Sequence, residues 1–225
     1  MEAIIYIVST IIIFLIMMKI YKCFPYPFLM PILTTTIVLV VFILLLNIPY
    51  DEYMEGGKWI QHLLGPAVVA LAYPLYNQRH LVLKYKYTIL SGIVFAMLIG
   101  LFSVFAGLKL FHEEKTFILT ALPKSLTTPI AMQVSETIGG VPPLTAVLVM
   151  VAGFTGALFG PVVYKLGKID SPISRGISMG SASHGVGISR LKDFGEEDLS
   201  IGSVSMSLSI VIGAILCPIF VSLFF

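Results

Sequence analysis

Long apolar runs separated by short polar loops cover most of the chain. The runs lie at residues 4–18, 31–48, 60–76, 88–110, 142–166 and 201–225. Several of them approach or exceed the roughly 20 residues that a helix needs to cross the hydrocarbon core of a membrane. The sequence has no alternating pattern of about ten residues that would indicate a transmembrane β-barrel. The pattern therefore predicts an all-α polytopic membrane protein with roughly seven to eight transmembrane or re-entrant segments.

Two polar stretches interrupt this apolar pattern, at residues 120–141 and 171–190. The first contains Pro123 and Pro129, which each remove a backbone donor and interrupt a regular helix. A broken, polar backbone at membrane depth is tolerated where protein or a water-filled cavity receives the freed backbone groups. We therefore expect broken helices around a ligand pathway in the first stretch. The second stretch is either a re-entrant segment or a helix enclosed by other helices.

The distribution of basic residues predicts part of the topology. The densest basic loop lies at residues 79–86, and the positive-inside rule places it in the cytoplasm. With the lysines of residues 19–22 on the same side, the N-terminus is expected outside. The acidic, aromatic stretch at 50–59 is expected to be an outside loop. The basic residues at 165–175 can be cytoplasmic only if the polar stretch before them does not cross as a simple helix, so the topology of the C-terminal half stays open.

Residues 66–107 and residues 121–160 show a weak internal similarity. In each part, a proline-broken segment is followed by a helix rich in small residues, as in transporters built from inverted repeats. We expect a single integral membrane domain over residues 1–225. It comprises N-terminal helices at 1–59 and a core at 60–225. In this core, the two similar stretches 66–107 and 121–160 are candidate repeats.

The composition agrees with a membrane protein and argues against several other classes. Hydrophobic residues make up 57% of the 225 residues and charged residues 12%, which leaves no room for a separate soluble catalytic domain. Motifs of hydrolases, zinc peptidases and P-loop ATPases are absent from the sequence. The two cysteines lack the spacing of a metal site. We therefore expect no enzyme, catalytic residue, metal or cofactor and, because the net charge is only +2, no nucleic-acid partner.

The residues around the first break suit a small anion. A half-helix beginning near Pro129 would point its N–H groups and positive dipole end toward the break, where Ser125, Thr127 and Thr128 offer hydroxyl groups. Lys124 would supply the balancing charge, so a small carboxylate fits this chemistry. The alternative is that Lys124 extends to the membrane interface and that the hydroxyl groups cap a kinked helix.

Two titratable residues are candidates for proton coupling. His184 lies among glycines and serines, and histidine can gain or lose a proton near neutral pH. Its alternative is a side chain that bonds neighbouring backbone carbonyl groups. Glu136 is the second candidate, and its alternative is the water-exposed end of a helix. An intramembrane enzyme using Ser183 beside His184 has no supporting motif. The weaker candidates for the site are Gln133, Arg175, Ser183 and Arg190.

Three segments carry a resemblance to a known family. PKSLTTPIAMQVSETIGGVPPLTAVLVMVAGFTGALFG at 123–160, RGISMGSASHGVGISR at 175–190 and LGPAVVALAYPLY at 64–76 resemble the LrgB/CidB family. The resemblance implies a multi-pass protein of the bacterial inner membrane, of a family described as antiholin-like modulators of murein hydrolase activity and autolysis. Its members are usually encoded beside a small holin-like membrane partner of the LrgA/CidA type. Relatives move small monocarboxylates, namely pyruvate in bacteria and glycolate or glycerate in the plastid envelope.

The resemblance leads to two hypotheses for function. The first is a carrier of a small monocarboxylate such as pyruvate, which works by alternating access and couples to protons through His184 or Glu136. The second is a non-transporting modulator that acts with the holin-like partner. The lipid bilayer and a second copy of the chain, as a homo-oligomer, are expected partners in both. The resemblance implies a family site formed by Lys124, Ser125, Thr127, Thr128 and His184, with Arg175 and Arg190 as weaker members.

Overall fold

The computed structural model describes residues 2–24, 26, 29, 31–63, 66, 69, 73, 76 and 79–225. The described residues fold into helices joined by short turns, which confirms the predicted all-α class. The helices are α1 (Glu2–Cys23), α2 (Pro31–Leu45), α3 (Tyr50–His62), α4 (Arg79–Lys84), α5 (Lys86–Leu110), α6 (Lys115–Ala121), a 3₁₀ helix (Leu122–Ser125), α7 (Thr128–Ile138), α8 (Pro142–Leu166), α9 (Pro172–Leu191) and α10 (Glu196–Phe224). The chain divides into two compact units, Met1–Ala67 and Val68–Phe225.

Four helices within the described ranges are long and apolar enough to cross a membrane. They are α1 (as Ala3–Cys23), α5, α8 and α10, and α2 is a shorter apolar helix. Large apolar side chains cover their outward faces, such as Phe95 on α5, Val151 on α8 and Ile215 on α10. A continuous apolar surface of this kind is unfavourable in water and suits lipid. The protein is therefore a multi-pass membrane protein.

One predicted loop of the N-terminal unit, at residues 50–59, is helical in the structure. The acidic stretch predicted as an outside loop folds as the helix α3, because its side chains find partners on α1. Tyr6 donates a hydrogen bond to Glu52, and the hydroxyl groups of Thr10 and Tyr53 lie 2.9 Å apart. The third predicted segment, 60–76, lies mostly outside the described residues, so its kink stays a prediction.

The first polar stretch folds as a hairpin within the Val68–Phe225 unit. We call residues 115–138 hairpin 1: α6 and the 3₁₀ helix form its ingoing arm, and α7 forms its returning arm. Extended backbone at 126–127 separates the arms, and Pro129 lies in the first turn of α7, a position that proline favours. The returning arm ends beside the ingoing one, since a Cβ atom on Gly140 would lie 2.9 Å from the Thr120 backbone nitrogen.

The second polar stretch is also a hairpin, because α9 folds back on itself at His184. The φ and ψ angles of His184 are 39° and −141°, far from helical values. Beyond it, a Cβ atom on Gly187 would lie 2.8 Å from the Met179 sulfur, whereas a straight helix would hold these two residues about 12 Å apart along its axis. The stretch is therefore a reversed pair of helices and not one straight helix, and its re-entry into a membrane stays a prediction. We call Pro172–Leu191 hairpin 2, with His184 at its tip.

Both arms of hairpin 2 pack against the same turn of α10. A Cβ atom on Gly202 would lie 3.5 Å from Cγ1 of Ile188 in the returning arm and 3.7 Å from the carbonyl oxygen of Gly176 in the ingoing arm. Beside Gly176, the Arg175 guanidinium donates to both carboxylate oxygens of Asp198, at 2.7 and 3.3 Å. This buried ion pair fixes the base of hairpin 2 to the start of α10.

The two hairpins enter the unit from opposite ends. Lys115, at the start of hairpin 1, lies 5.2 Å from the centre of the Phe225 ring at the end of α10. Arg175, near the start of hairpin 2, is bound instead to Asp198 at the beginning of α10. We call these the Lys115 end and the Arg175 end of the unit. Each hairpin enters and leaves at its own end, and neither runs from one end to the other.

A hairpin followed by a long helix occurs twice in this unit. Residues 115–166 and 172–224 share this order, and the second copy has the opposite orientation to the first. This is the arrangement that inverted-repeat transporters use around a central site. The predicted similarity between 66–107 and 121–160 includes residues outside the described ranges, so these two candidate repeats stay a prediction.

Hairpin 1 accounts for the topology that the sequence left open. Because it returns to its own end, the residues after α8 lie at the same end as the basic loop before α5. Gly92 near the start of α5 confirms this proximity, since a Cβ atom there would lie 3.1 Å from Cγ2 of Ile177. Basic residues are concentrated at this Arg175 end, which the positive-inside rule assigns to the cytoplasm. They are Lys84, Lys86, Lys165, Lys168, Arg175, Arg190 and Lys192.

Single-cysteine labelling in intact cells checks this arrangement. In a variant whose two native cysteines are replaced by serine, we expect cysteines at Glu113 and Val141 to react from the outside and cysteines at Lys168 and Lys192 to react from the cytoplasm. Labelling of Glu113 and Val141 from different sides would show that the chain between them crosses the membrane, and hairpin 1 would be wrong.

Candidate functional site

The tips of the two hairpins meet in the interior of the unit. The His184 ring is 5% exposed and lies within interaction range of the backbone carbonyl groups of Lys124, in hairpin 1, and Val149, in α8. A Cβ atom on Gly153 would lie 3.0 Å from Cε1 of His184, so glycine at this position leaves the room that the ring occupies. The structure thus brings Lys124 and His184 together, although each comes from a different polar stretch.

Lys124 is a half-buried cation at the tip of hairpin 1. Its Nζ atom lies 3.5 Å from the Ser125 hydroxyl group, at the limit of a hydrogen bond. Within the part of the chain that the structure describes, no carboxylate lies within 4.0 Å of this ammonium group. A buried charge without a counter-ion is unfavourable. The tip therefore offers a positive charge that an anion would neutralise.

The start of α7 adds hydrogen-bond donors to the same tip. The predicted half-helix near Pro129 begins at Thr128, with Thr127 as its N-cap residue. Helix geometry leaves the first backbone N–H groups without partners inside the helix, and the positive end of the dipole points toward the tip. The Thr127 hydroxyl group does not cap the helix, and its buried oxygen has no hydrogen-bond partner within the described part of the chain. This hydroxyl group is free to bind a ligand.

His184 shows two further features of a binding residue. Its positive φ is uncommon for a residue with a side chain, and such backbone strain costs on the order of 1–3 kcal/mol. Its Nε2 atom is buried and forms no hydrogen bond with any residue that the structure describes. A buried polar atom left unpaired costs about 1–3 kcal/mol.

A cavity opens beside the tip of hairpin 1. Its enclosed volume is about 10 Å³, roughly the room that one water molecule needs. Met97 and Leu101 of α5, Gly213 and Cys217 of α10, and Ser125 with its apolar neighbours in hairpin 1 line this cavity. It is therefore an apolar space with a hydroxyl group on its wall.

The other residues predicted for the site lie elsewhere. Gln133 and Glu136 are exposed on α7, away from the tip. Ser183 is buried against α8, where a Cβ atom on Gly156 would overlap its hydroxyl group. Arg190 pairs with Asp193 at 3.1 Å near the end of hairpin 2. The structure thus gives Ser183 and Arg190 neighbours other than the Lys124 ammonium group and leaves Gln133 and Glu136 exposed.

Arg175, another weaker candidate, is occupied by structural partners. Besides its pair with Asp198, its Nη1 atom donates to the carbonyl oxygen of Ile169 at 3.2 Å, and its guanidinium lies 4.9 Å from the centre of the Phe194 ring. The Tyr164 hydroxyl group donates to the Arg175 carbonyl oxygen at 3.1 Å. These contacts join the ends of α8, hairpin 2 and α10.

Sequence reasoning missed a cluster of hydroxyl groups that supports hairpin 1. Thr120, Ser135 and Thr145 are fully buried. The Thr145 hydroxyl group lies 2.9 Å from the Thr120 carbonyl oxygen and 2.7 Å from the Ser135 hydroxyl group, and the backbone N–H of Val141 donates to the Thr120 hydroxyl at 2.9 Å. These bonds tie both arms of hairpin 1 to α8. The signal that could have revealed this cluster is a hydroxyl residue within an apolar run, as at Thr145.

Comparisons with known proteins identify the family to which the chain is similar. The model of the LrgB-like family matches residues 10–223. The uncharacterized protein YxaC of Bacillus subtilis is 46% identical over 99% of this chain and 96% of its own length. The holin-like protein CidB of Staphylococcus epidermidis is 32% identical over 100% of this chain and 98% of its own length.

A further relative is the uncharacterized protein YwbG of Bacillus subtilis, which is 37% identical over 95% of each chain. No solved structure matches the chain. The family match covers both hairpins and all four candidate spans except the first residues of α1 and the last residues of α10. The relatives match nearly end to end, so the likeness extends to the whole membrane domain. On these matches, the chain belongs to the LrgB-like family, which includes the holin-like protein CidB.

Proposed function

We propose that the protein is a carrier of a small monocarboxylate, of the size of pyruvate, in the bacterial inner membrane. The observation that supports this most is the Lys124 ammonium group, which lies half-buried at the meeting point of the two hairpins and has no carboxylate partner among the described residues. A substrate carboxylate would neutralise it.

The donors around Lys124 suit the two oxygens of one carboxylate. The ammonium group and the hydroxyl groups of Ser125 and Thr127 can each donate to an anionic oxygen, and such charge-assisted hydrogen bonds are the stronger kind. Thr128 contributes its backbone N–H at the positive end of α7. The half-buried setting strengthens these interactions relative to water.

The opposite entry of the hairpins supports transport by alternating access. Movement of hairpin 2 would open the site to the Arg175 end, and movement of hairpin 1 would open it to the Lys115 end. Carriers built from inverted repeats expose a fixed central site to each side in turn. The hydroxyl cluster of Thr120, Ser135 and Thr145 holds hairpin 1 to α8. The ion pair at the base of hairpin 2 holds that hairpin to α10.

His184 is the better placed of the two residues proposed for proton coupling. Its ring lies beside the Lys124 backbone, and its buried Nε2 atom has no hydrogen bond to any residue that the structure describes. A protonated ring would add a second positive charge next to a bound carboxylate. Glu136 is exposed on α7 and has no comparable contact with the tip. The coupled proton is therefore assigned to His184.

Uptake of labelled pyruvate into proteoliposomes that contain only this protein tests the proposal. We expect saturable uptake that an inward proton gradient accelerates. Ser125→Ala is expected to weaken uptake, because it removes a donor at the tip. His184→Gln is expected to remove the response to the gradient, because glutamine cannot take up the proton. Ser222→Ala, at an exposed serine of α10, serves as the matched control with normal uptake.

Absence of uptake by the well-folded protein would overturn the carrier proposal and favour a second function. The relatives named holin-like protein CidB motivate it: a non-transporting modulator of murein hydrolases and autolysis that acts with a small holin-like membrane protein. In that case, co-purification with such a partner and altered autolysis should persist in Lys124→Met and Ser125→Ala. A carrier predicts that any effect on autolysis disappears with uptake in these variants.

A further inference from the structure

Each long helix is fixed to the hairpin that precedes it. We call residues 115–166 repeat 1 and residues 172–224 repeat 2. In repeat 1, the buried hydroxyl cluster ties both arms of hairpin 1 to α8. In repeat 2, the ion pair of Arg175 and Asp198 ties hairpin 2 to α10. Because breaking buried polar bonds of this kind is costly, each hairpin and its helix should move together.

Glycines of α8 receive side chains of hairpin 2 where the two repeats meet, a surface that we call the repeat interface. A Cβ atom on Gly156 would overlap the Ser183 hydroxyl group, and one on Gly160 would overlap the end of the Met179 side chain. Packed helices with contacts of this kind can slide past one another in small steps. The repeat interface is therefore a surface along which one repeat can shift against the other.

Tyr164 makes a directed contact across the repeat interface at the Arg175 end. It lies near the end of α8 and is 6% exposed. Its hydroxyl group donates to the Arg175 carbonyl oxygen at 3.1 Å and lies 2.9 Å from the Ser178 hydroxyl group, and both partners belong to hairpin 2. The His184 ring faces repeat 1 at the tips themselves, whereas Tyr164 lies roughly 16 Å along α8 from Gly153, which borders that ring.

We propose that the Tyr164 hydroxyl group is a latch between the repeats: it holds the repeat interface closed at the Arg175 end and is released when the repeats shift to open the site toward the cytoplasm. This inference rests on the proposed function, since it assigns one step of the transport cycle to one residue. A neutral hydrogen bond suits a reversible latch, because water that enters on opening replaces it at little net cost. Separation of Arg175 from Asp198 would instead leave a buried charge unpaired.

The reactivity of a cysteine in the repeat interface measures whether the latch is closed. Ser183→Cys is the reporter, in the variant whose native cysteines are replaced by serine, because Ser183 is 4% exposed and faces α8. A charged methanethiosulfonate reagent, which does not cross the membrane, is applied to inside-out vesicles. Tyr164→Phe keeps the ring and its edge contact with Phe194 and removes the hydroxyl group. We expect it to raise the labelling rate by about threefold to tenfold, as the loss of a hydrogen bond would.

Further variants separate the latch from general loosening of the fold. Ser178→Ala removes one partner of the Tyr164 hydroxyl group and should also raise the rate, and adding it to Tyr164→Phe should change the rate little further, since both act on one contact. Tyr87→Phe is the matched control, because Tyr87 is 78% exposed on α5 and should leave the rate unchanged. In right-side-out vesicles, Tyr164→Phe should not raise the rate. Met179→Cys, at a residue that is 2% exposed, serves as the reporter if Ser183→Cys folds poorly.

The outcomes separate this inference from the proposed function. Equal labelling from the cytoplasmic side with and without Tyr164→Phe would overturn the latch, and pyruvate uptake by the same protein would leave the carrier standing. Faster labelling of Tyr164→Phe from both sides would also overturn the latch, because it would show general loosening of the fold. Labelling needs no substrate, so absence of pyruvate uptake by the wild-type protein would overturn the carrier independently of the labelling result.

Discussion

Lys124→Met is expected to abolish pyruvate uptake while the protein melts at the same temperature or a higher one. Methionine keeps the length of the side chain and removes the charge. Loss of a hydrogen bond to a charged group costs roughly 1.5–3 kcal/mol, enough to reduce uptake by more than about tenfold. Because Lys124 has no carboxylate partner among the described residues, its removal leaves no buried carboxylate unpaired. Uptake in proteoliposomes and melting of the purified protein measure the two effects.

Arg175→Met is expected to differ from Lys124→Met in its effect on stability. It would leave Asp198, whose side chain is 3% exposed, as an unpaired buried carboxylate, and breaking a buried pair in this way costs about 3–5 kcal/mol. A clear fall in melting temperature is expected for this variant. If Lys124→Met destabilises the protein as much as Arg175→Met does, Lys124 is a structural residue and the site assignment fails. Lys192→Ala, at an exposed lysine, should change neither property.

Gly180→Ala is expected to destabilise the protein strongly. Gly180 lies where hairpin 2 crosses α10, and a Cβ atom there would overlap the Gly202 carbonyl oxygen and lie 3.0 Å from the backbone nitrogen of Met206. Backbone atoms inside a packed helix pair cannot move aside readily. Overpacking of this kind costs about 1–3 kcal/mol or more. Thermal melting in detergent should show the loss.

Gly107→Ala is the matched control for this variant, and its effect should have the opposite sign. It is also a glycine inside a long helix, but a Cβ atom there would meet nothing within 4 Å. Alanine in an open helix position is more favourable than glycine by about 0.5–1 kcal/mol. Equal melting temperatures for the two variants would show that hairpin 2 does not press against α10 as the structure has it.

The long helices could be predicted because the membrane allows few alternatives. An uncharged run such as residues 88–110 or 142–166 must satisfy its backbone hydrogen bonds internally, so a spanning helix is its stable form. The break near Pro129 was also predictable, since proline removes a donor and favours the first turn of the following helix. These features depend on local chemistry alone.

The path of each broken segment could not be predicted in the same way. Nothing in the sequence around His184 distinguishes a bend from a complete reversal, because the reversal depends on space left by Gly153 in another helix. The partner of Arg175 was equally hidden, since Asp198 lies in a different helix. Both features arise from packing between segments far apart in the chain.

The site residues also divide into those that the local sequence groups together and one that only packing between distant segments adds. Lys124, Ser125, Thr127 and Thr128 lie next to one another in the sequence, so the geometry of a single break was enough to group them. His184 joined them only through the meeting of the two hairpins. Glu136 follows Thr128 by about two helical turns, and the α-helical phase of α7 places it on an exposed face.

The meeting of the tips near the middle of α8 has an electrical consequence. An anion held there has one hairpin between it and each aqueous side, so each half of its journey crosses about half of the membrane voltage. Moving one charge across the full voltage involves roughly 2.3 kcal/mol per 100 mV. A negative cell interior therefore opposes entry of the bare anion on both halves of the path. If His184 carries a proton inward with each anion, the moving pair is neutral and its passage becomes independent of voltage.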